Sequence, residues 1–192
     1  MPDMSNSNRI TPQIERILIV VGDQNAGKST TLRSMFVDPR LGSKGVVPAT
    51  APRRIRLVAL SRERCLFFRL TSPHETGQNV MQFLSRLDHA RRRAARIGFR
   101  RFNVACAMQP FAANAMPNIV SVCREVRQKL DPERMRVVVI DPRQDGEPGP
   151  ELSPLDIDHL RQIEADVIWI DGSRGLTQYP NGLVLADFFD FT

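Results

Sequence analysis

The chain has 192 residues, 27 Lys and Arg against 21 Asp and Glu, a formal net charge of +6, and 42% hydrophobic residues. That length and apolar content suit one globular domain with a substantial core. No run approaches a membrane span, and Cys65, Cys106 and Cys123 have neither a paired framework nor metal-ligand spacing, which sets aside a membrane-spanning protein, a disulfide scaffold and a cysteine metal site.

Residues 1–12 are polar and lack the apolar core of a signal peptide, so a flexible tail is expected there, followed by a single domain over 13–192. The cysteines sit in apolar segments, as reduced core residues of a cytoplasmic protein would.

Ile17 to Val21 is short, β-branched and unbroken, which predicts a strand buried on both faces of a parallel sheet. It runs into Gly22-Asp23-Gln24-Asn25-Ala26-Gly27-Lys28-Ser29-Thr30. From Gly27 onward, Leu32, Met35 and Phe36 recur at helical spacing. Strand, Gly-x-x-x-x-Gly-Lys-Ser and helix in this order form the phosphate-binding P-loop pattern. Backbone N–H groups of such a turn and the helix start make a concave anion site for the α- and β-phosphates. Gly22 to Thr30 are thus the candidate nucleotide-binding residues, with Lys28 expected to reach the β- and γ-phosphates and Ser29 to ligate Mg²⁺.

Val37 to Ala51 is rich in Gly and Pro and is expected to be a functional loop. Two strand patterns follow, Arg54 to Leu60 and Cys65 to Leu70, separated by four residues that cannot hold a crossover helix. They are expected to pair as an antiparallel hairpin. The order strand, P-loop, helix, long loop with a late threonine, hairpin, loop and helix resembles P-loop NTPases and, among them, the GTPase-like branch that includes the small GTPases. That resemblance implies a three-layer α/β fold with a mainly parallel sheet and one antiparallel hairpin strand. It also implies that Thr50 closes on Mg²⁺ and the γ-phosphate. Where the family usually has Asp-x-x-Gly, this chain has Leu70 and Pro73. His74 lies one residue further on and is a candidate for orienting the attacking water, the other readings being a surface histidine or a cap of the next helix.

Gln78 to Ile97 reads as an amphipathic helix whose polar surface carries Arg86, Arg91, Arg92, Arg93 and Arg96, continued by Arg100 and Arg101. An acidic partner or a nucleic acid are the candidate ligands of that surface, and a solvated face is the alternative. A strand over Phe102 to Met108 and a helix from Asn114 to Leu130 come next. The strands Arg136 to Asp141 and Asp166 to Asp171 both finish in an acid. Asp141 resembles the Walker B aspartate that orders Mg²⁺, although the repeat at Asp171 leaves the choice open.

In a GTPase-like order the loops after these two strands hold the base, and Asp145 could touch it. The guanine-reading Asn-Lys-x-Asp motif is absent. A short helix is expected from Ser153 to Ala165, with Ser153 as its N-cap and Pro154 in its first turn. The segment Leu176 to Thr192 has no clear period.

The function expected from these features is Mg²⁺-dependent binding and slow hydrolysis of a nucleoside triphosphate, ATP or GTP, in a conformational switch. Its protein partner would read the loops near Thr50 and His74. Two other readings stay open: a small P-loop kinase acting on a metabolite, and a nucleotide-binding interaction module without hydrolysis.

Overall fold

The computed structural model describes residues 11–41, 56–174 and 180–189. Its strands are β1 (Gln13–Val21), β2 (Arg56–Ala59), β3 (Arg64–Arg69), β4 (Arg101–Met108), β5 (Arg134–Ile140) and β6 (Ala165–Ile170). They form one sheet in the order β2-β3-β4-β1-β5-β6. β1 pairs in parallel with β4 on one side and β5 on the other, and Ile17 to Val21 are each exposed by 1% or less. An unbroken apolar run is what a strand covered on both faces requires.

β2 and β3 pair antiparallel, as the short linker demands. Its turn is closed by the Leu60 amide donating to the Arg64 carbonyl at 2.9 Å and by the Ser61 hydroxyl accepting from the amides of Glu63 and Arg64. The observed order also puts β4 between β3 and β1. Leu70, just past β3, is therefore two strands away from the strand that leads into the glycine loop.

Among the described residues five α-helices cover the two faces: α1 (Lys28–Ser34), α2 (Val80–Ile97), α3 (Ile119–Leu130), α4 (Pro154–Gln162) and α5 (Pro180–Asp187). Ile17, Ile19 and Val21 point into one core layer, which also contains Phe83, Leu87, Val122, Val126 and Leu160 from α2, α3 and α4. Leu18 and Val20 point into the other, with Leu32 of α1 and Leu185 of α5. The two-residue period of β1 thus divides the helices between the faces.

Several boundaries differ from the periodic pattern because capping decides them. α2 starts at Val80, where Asn79 and Gln82 form a reciprocal capping box. α3 starts at Ile119 rather than Asn114, because the Asn118 side chain accepts from the Ser121 amide at 3.0 Å, while Asn114 has a left-handed φ of 55°. α4 keeps its Ser153 cap and N-terminal proline but stops at Gln162, before Glu164 turns with φ 57° into β6. Short 3₁₀ turns occupy Met35–Val37 and Pro39–Leu41. The rest of the loop expected over Val37 to Ala51, including Thr50, lies outside the described residues, as does most of the N-terminal tail.

The three cysteines are free and buried, and burial pushes the thiols of Cys65 and Cys106 up to about 12. No described helix is long and apolar enough to cross a membrane.

α5 was unreadable in the sequence and packs on α1 at a close approach. A Cβ at Gly182 would lie 2.3 Å from the backbone oxygen of Ser34. Gly182→Ala is expected to cost about 1–3 kcal/mol and to lower the melting temperature by several degrees, while Leu183→Ala, at an exposed position, changes it little. An unchanged melting temperature for Gly182→Ala would show that α5 does not seat on α1 in solution.

Candidate functional site

At the carboxyl end of β1 the Gly22 amide still donates to Met108 of β4, and the chain then folds into a tight loop closed by the Ala26 amide on the Asp23 carbonyl at 3.2 Å. Asn25 and Gly27 both have left-handed backbone, with φ of 65° and 96°. Two glycines are required by close approach, and Gly27 by its conformation as well. A Cβ on Gly22 would come within 2.9 Å of the Ala26 side chain, and one on Gly27 within 3.0 Å of the Gln144 side chain.

Lys28 opens α1 and is only 5% exposed. Its ammonium donates back to the carbonyls of Gly22 at 2.9 Å and Asp23 at 2.6 Å and stands 3.8 Å from the Glu75 carboxylate. Burial lowers its pKa, Glu75 and Asp23 oppose that shift, and Arg143 adds to it. The Ser29 hydroxyl donates to the Leu70 carbonyl at 3.1 Å, tying α1 to the end of β3. Its oxygen keeps lone pairs for a further partner.

His74 does not occupy the place expected of a residue that orients solvent. It is fully buried. Nε2 lies 3.0 Å from the Pro117 carbonyl, which can only accept, so Nε2 carries the proton. Nδ1 then accepts from the Ser72 hydroxyl at 3.2 Å and from the Gln109 amide at 3.4 Å. With both nitrogens engaged, and with Asn114 donating to its carbonyl at 2.7 Å, the residue pins the loop after β3 to the loop after β4. Nor does it cap α2, whose cap is Asn79. Burial lowers the His74 pKa most; the Pro117 contact opposes that shift and the positive charge of Lys28 reinforces it.

The acid that faces Lys28 is Glu75, whose side chain is 35% exposed. The fold of the loop after β3 turns it toward Lys28. Arg69 braces that loop. Buried at 7% exposure, it donates to the Thr71 carbonyl at 2.7 Å, the Gln78 side chain at 2.8 Å and the Thr76 hydroxyl at 3.2 Å. All three partners are neutral.

On the other side of the glycine loop, the segment after β5 packs against it. Gln144 donates through its side chain to the Asn25 carbonyl at 2.9 Å and through its amide to the Ala26 carbonyl at 3.3 Å. Thr30, Gln144, Gly172 and Asn181 line a small polar cleft beside α1. Asp145 is exposed and pairs with Arg143 at 2.7 Å. Asp141 follows β5, as a strand-end acid should, and accepts the Gly149 amide at 2.8 Å, closing its own loop. Among the described residues no group of three or more His, Cys, Asp or Glu could hold a metal ion. The structure thus gathers Gly22 to Thr30, Gln144 and Glu75 around Lys28 and turns His74 and Asp141 to other partners.

The chain matches no protein-family model, no curated protein and no solved structure.

A buried neutral histidine binds a proton more weakly than it does in the unfolded chain, so the unfolded state takes up more protons as pH falls below about 6.5. The stability contributed by neutral His74 is complete above that pH and declines as pH falls toward the lowered folded value. The difference in melting temperature between the protein and His74→Gln should accordingly shrink from pH 7.5 to pH 5. A constant difference would mean that His74 is not held neutral.

Proposed function

We propose that the chain binds a Mg²⁺-nucleoside triphosphate, ATP or GTP, at the loop between β1 and α1, hydrolyses it slowly, and uses the γ-phosphate to set the loop after β3. The observation that carries this reading is the Lys28 ammonium: buried, drawn over the P-loop pattern by the carbonyls of Gly22 and Asp23, and 3.8 Å from the Glu75 carboxylate. A lysine so placed can exchange its carbonyl partners for phosphate oxygens with little movement of its backbone.

The donor set fits the metal in one respect. Ser29 offers a hydroxyl oxygen beside Lys28, and the described residues supply no carboxylate cluster, so the ion would arrive with the phosphates. When bound, Mg²⁺ neutralises charge on the phosphates. The remaining work falls to the chain. Lys28 holds the β- and γ-phosphates. Gly22 and Gly27 keep side chains away from them. Glu75 takes the role of orienting or deprotonating the attacking water, in place of His74. Arg69 and His74 hold the loop that presents Glu75, and a partner reading that loop would sense whether Lys28 is occupied by phosphate or by its own carbonyls.

Thermal unfolding with Mg²⁺ and each of ATP, GTP, ADP and GDP tests binding and names the base. A ligand at a hundredfold excess over its Kd should stabilise the fold by about 2.7 kcal/mol, and Lys28→Ala should remove that gain. Lack of stabilisation by all four would end the nucleotide reading. Glu75→Gln separates binding from turnover: the ligand-induced stabilisation should persist while hydrolysis falls by about 10²-fold or more. Stabilisation without turnover above Lys28→Ala in the unaltered protein would support an interaction module instead.

A further inference from the structure

The sheet ends at β2, which among the described residues pairs with β3 alone. The Leu60 amide bonds inward to Arg64, and the register pairs Leu57 with Phe67 and Ala59 with Cys65. Alternation along an antiparallel ladder then directs the N–H and C=O of Leu57 and Ala59 away from β3, where no described strand pairs with them. Side chains alternate as well. Leu57 packs on the layer that contains α2, while Val58 and Leu60 border the opposite layer.

Alongside this edge runs one flank of α2. Arg86, His89, Ala90 and Arg93 share it, and with Leu57 and Ser85 they enclose a groove of about 390 Å³. α2 contains a single acid, Asp88, and it is taken by Arg91 at 3.0 Å and by Arg92. Arg86 and Arg93 have no ion pair among the described residues. They are two helical turns apart, about 10 Å along the axis.

From these features we infer that the β2 edge and the flank of α2 dock an extended acidic segment of a partner protein, added to the sheet as a further strand. Its backbone would pair with the outward groups of Leu57 and Ala59. Acids at alternate positions, about 7 Å apart, would face Arg86 and Arg93, with their methylene stems over Leu57 and Ala90. The intervening side chains would lie beside Val58 and Leu60 and should be apolar. A sheet edge with one flanking cationic groove selects this pattern because strand addition takes affinity from the backbone and specificity from every second side chain. A nucleic acid fits less well: among the described residues no Phe, Tyr or Trp ring lines the groove to stack a base, and two arginines offer few phosphate contacts.

The test is fluorescence anisotropy of the full chain at low salt with a fluorescein-labelled peptide of five Glu-Val repeats. A block peptide of the same composition (five Glu, then five Val) and a short DNA duplex serve as comparators. The alternating peptide should bind, bind more weakly as salt is raised, and lose affinity at least about tenfold in the double variant R86E/R93E. Ala59→Pro removes an outward N–H without touching the ladder to β3 and should weaken binding by a similar factor. Melting temperatures of both variants should stay near that of the parent, which separates lost binding from lost folding.

Failure of the alternating peptide to bind, or equal binding of the block peptide, would overturn the proposal. Loss in R86E/R93E but not in Ala59→Pro would reduce it to charge attraction and remove the added strand. Preference for the duplex, sensitive to R86E/R93E, would assign the surface to nucleic acid.

Discussion

An ammonium group sealed from water is costly unless its protons find acceptors, and much of the local structure around Lys28 follows from that requirement. Two of its acceptors are the carbonyls of Gly22 and Asp23, so the loop must curl back over its own lysine. The curl needs the left-handed turns at Asn25 and Gly27 and the close approach that Gly22 and Gly27 permit. It also needs a wall to lean on, which Gln144 supplies from the segment after β5. β1 holds the whole assembly in place because it is flanked on both sides and covered on both faces.

The loop after β3 completes the surroundings of Lys28, and buried, hydrogen-bonded polar groups brace it. His74 joins it to the loop after β4 through both ring nitrogens. Arg69 spans it from Thr71 to Gln78 using neutral acceptors. The hydrogen-bond partners of Arg69 are neutral and Arg143 stands on the other side of Lys28, while the charges of Glu75 and Asp23 act on Lys28 in the opposite sense.

The arginines of α2 illustrate how one composition divides into different roles. Arg91 and Arg92 converge on Asp88, three and four residues away, as helix geometry allows. Arg86 and Arg93 fall on the flank beside β2, where no acid among the described residues pairs with them. A helix in isolation would present these residues as one basic surface. Only the neighbouring strand distinguishes a neutralised part from an open one.

The sequence by itself determined the features that depend on near neighbours in the chain. These are the strand of β1 from its apolar run, the glycine loop and α1 after it, the hairpin from a four-residue linker, the Ser153 cap, and an α/β fold with a mainly parallel sheet. Each rests on period, turn chemistry or linker length, and these act over a few residues. What needed the tertiary structure was every choice between groups far apart in sequence. His74 could equally have faced solvent until Pro117 and Gln109 claimed its nitrogens; nothing beside Glu75 in the chain points to Lys28, and only the loop after β3 brings the two together. Asp141 has the look of a metal-ordering acid in the sequence, and the fold adds that one of its oxygens closes the loop to Gly149. β4 lies between β1 and β3, and α5 lies on α1, for the same reason: pairing and packing are decided by which surfaces bury each other, and no local pattern records the partner.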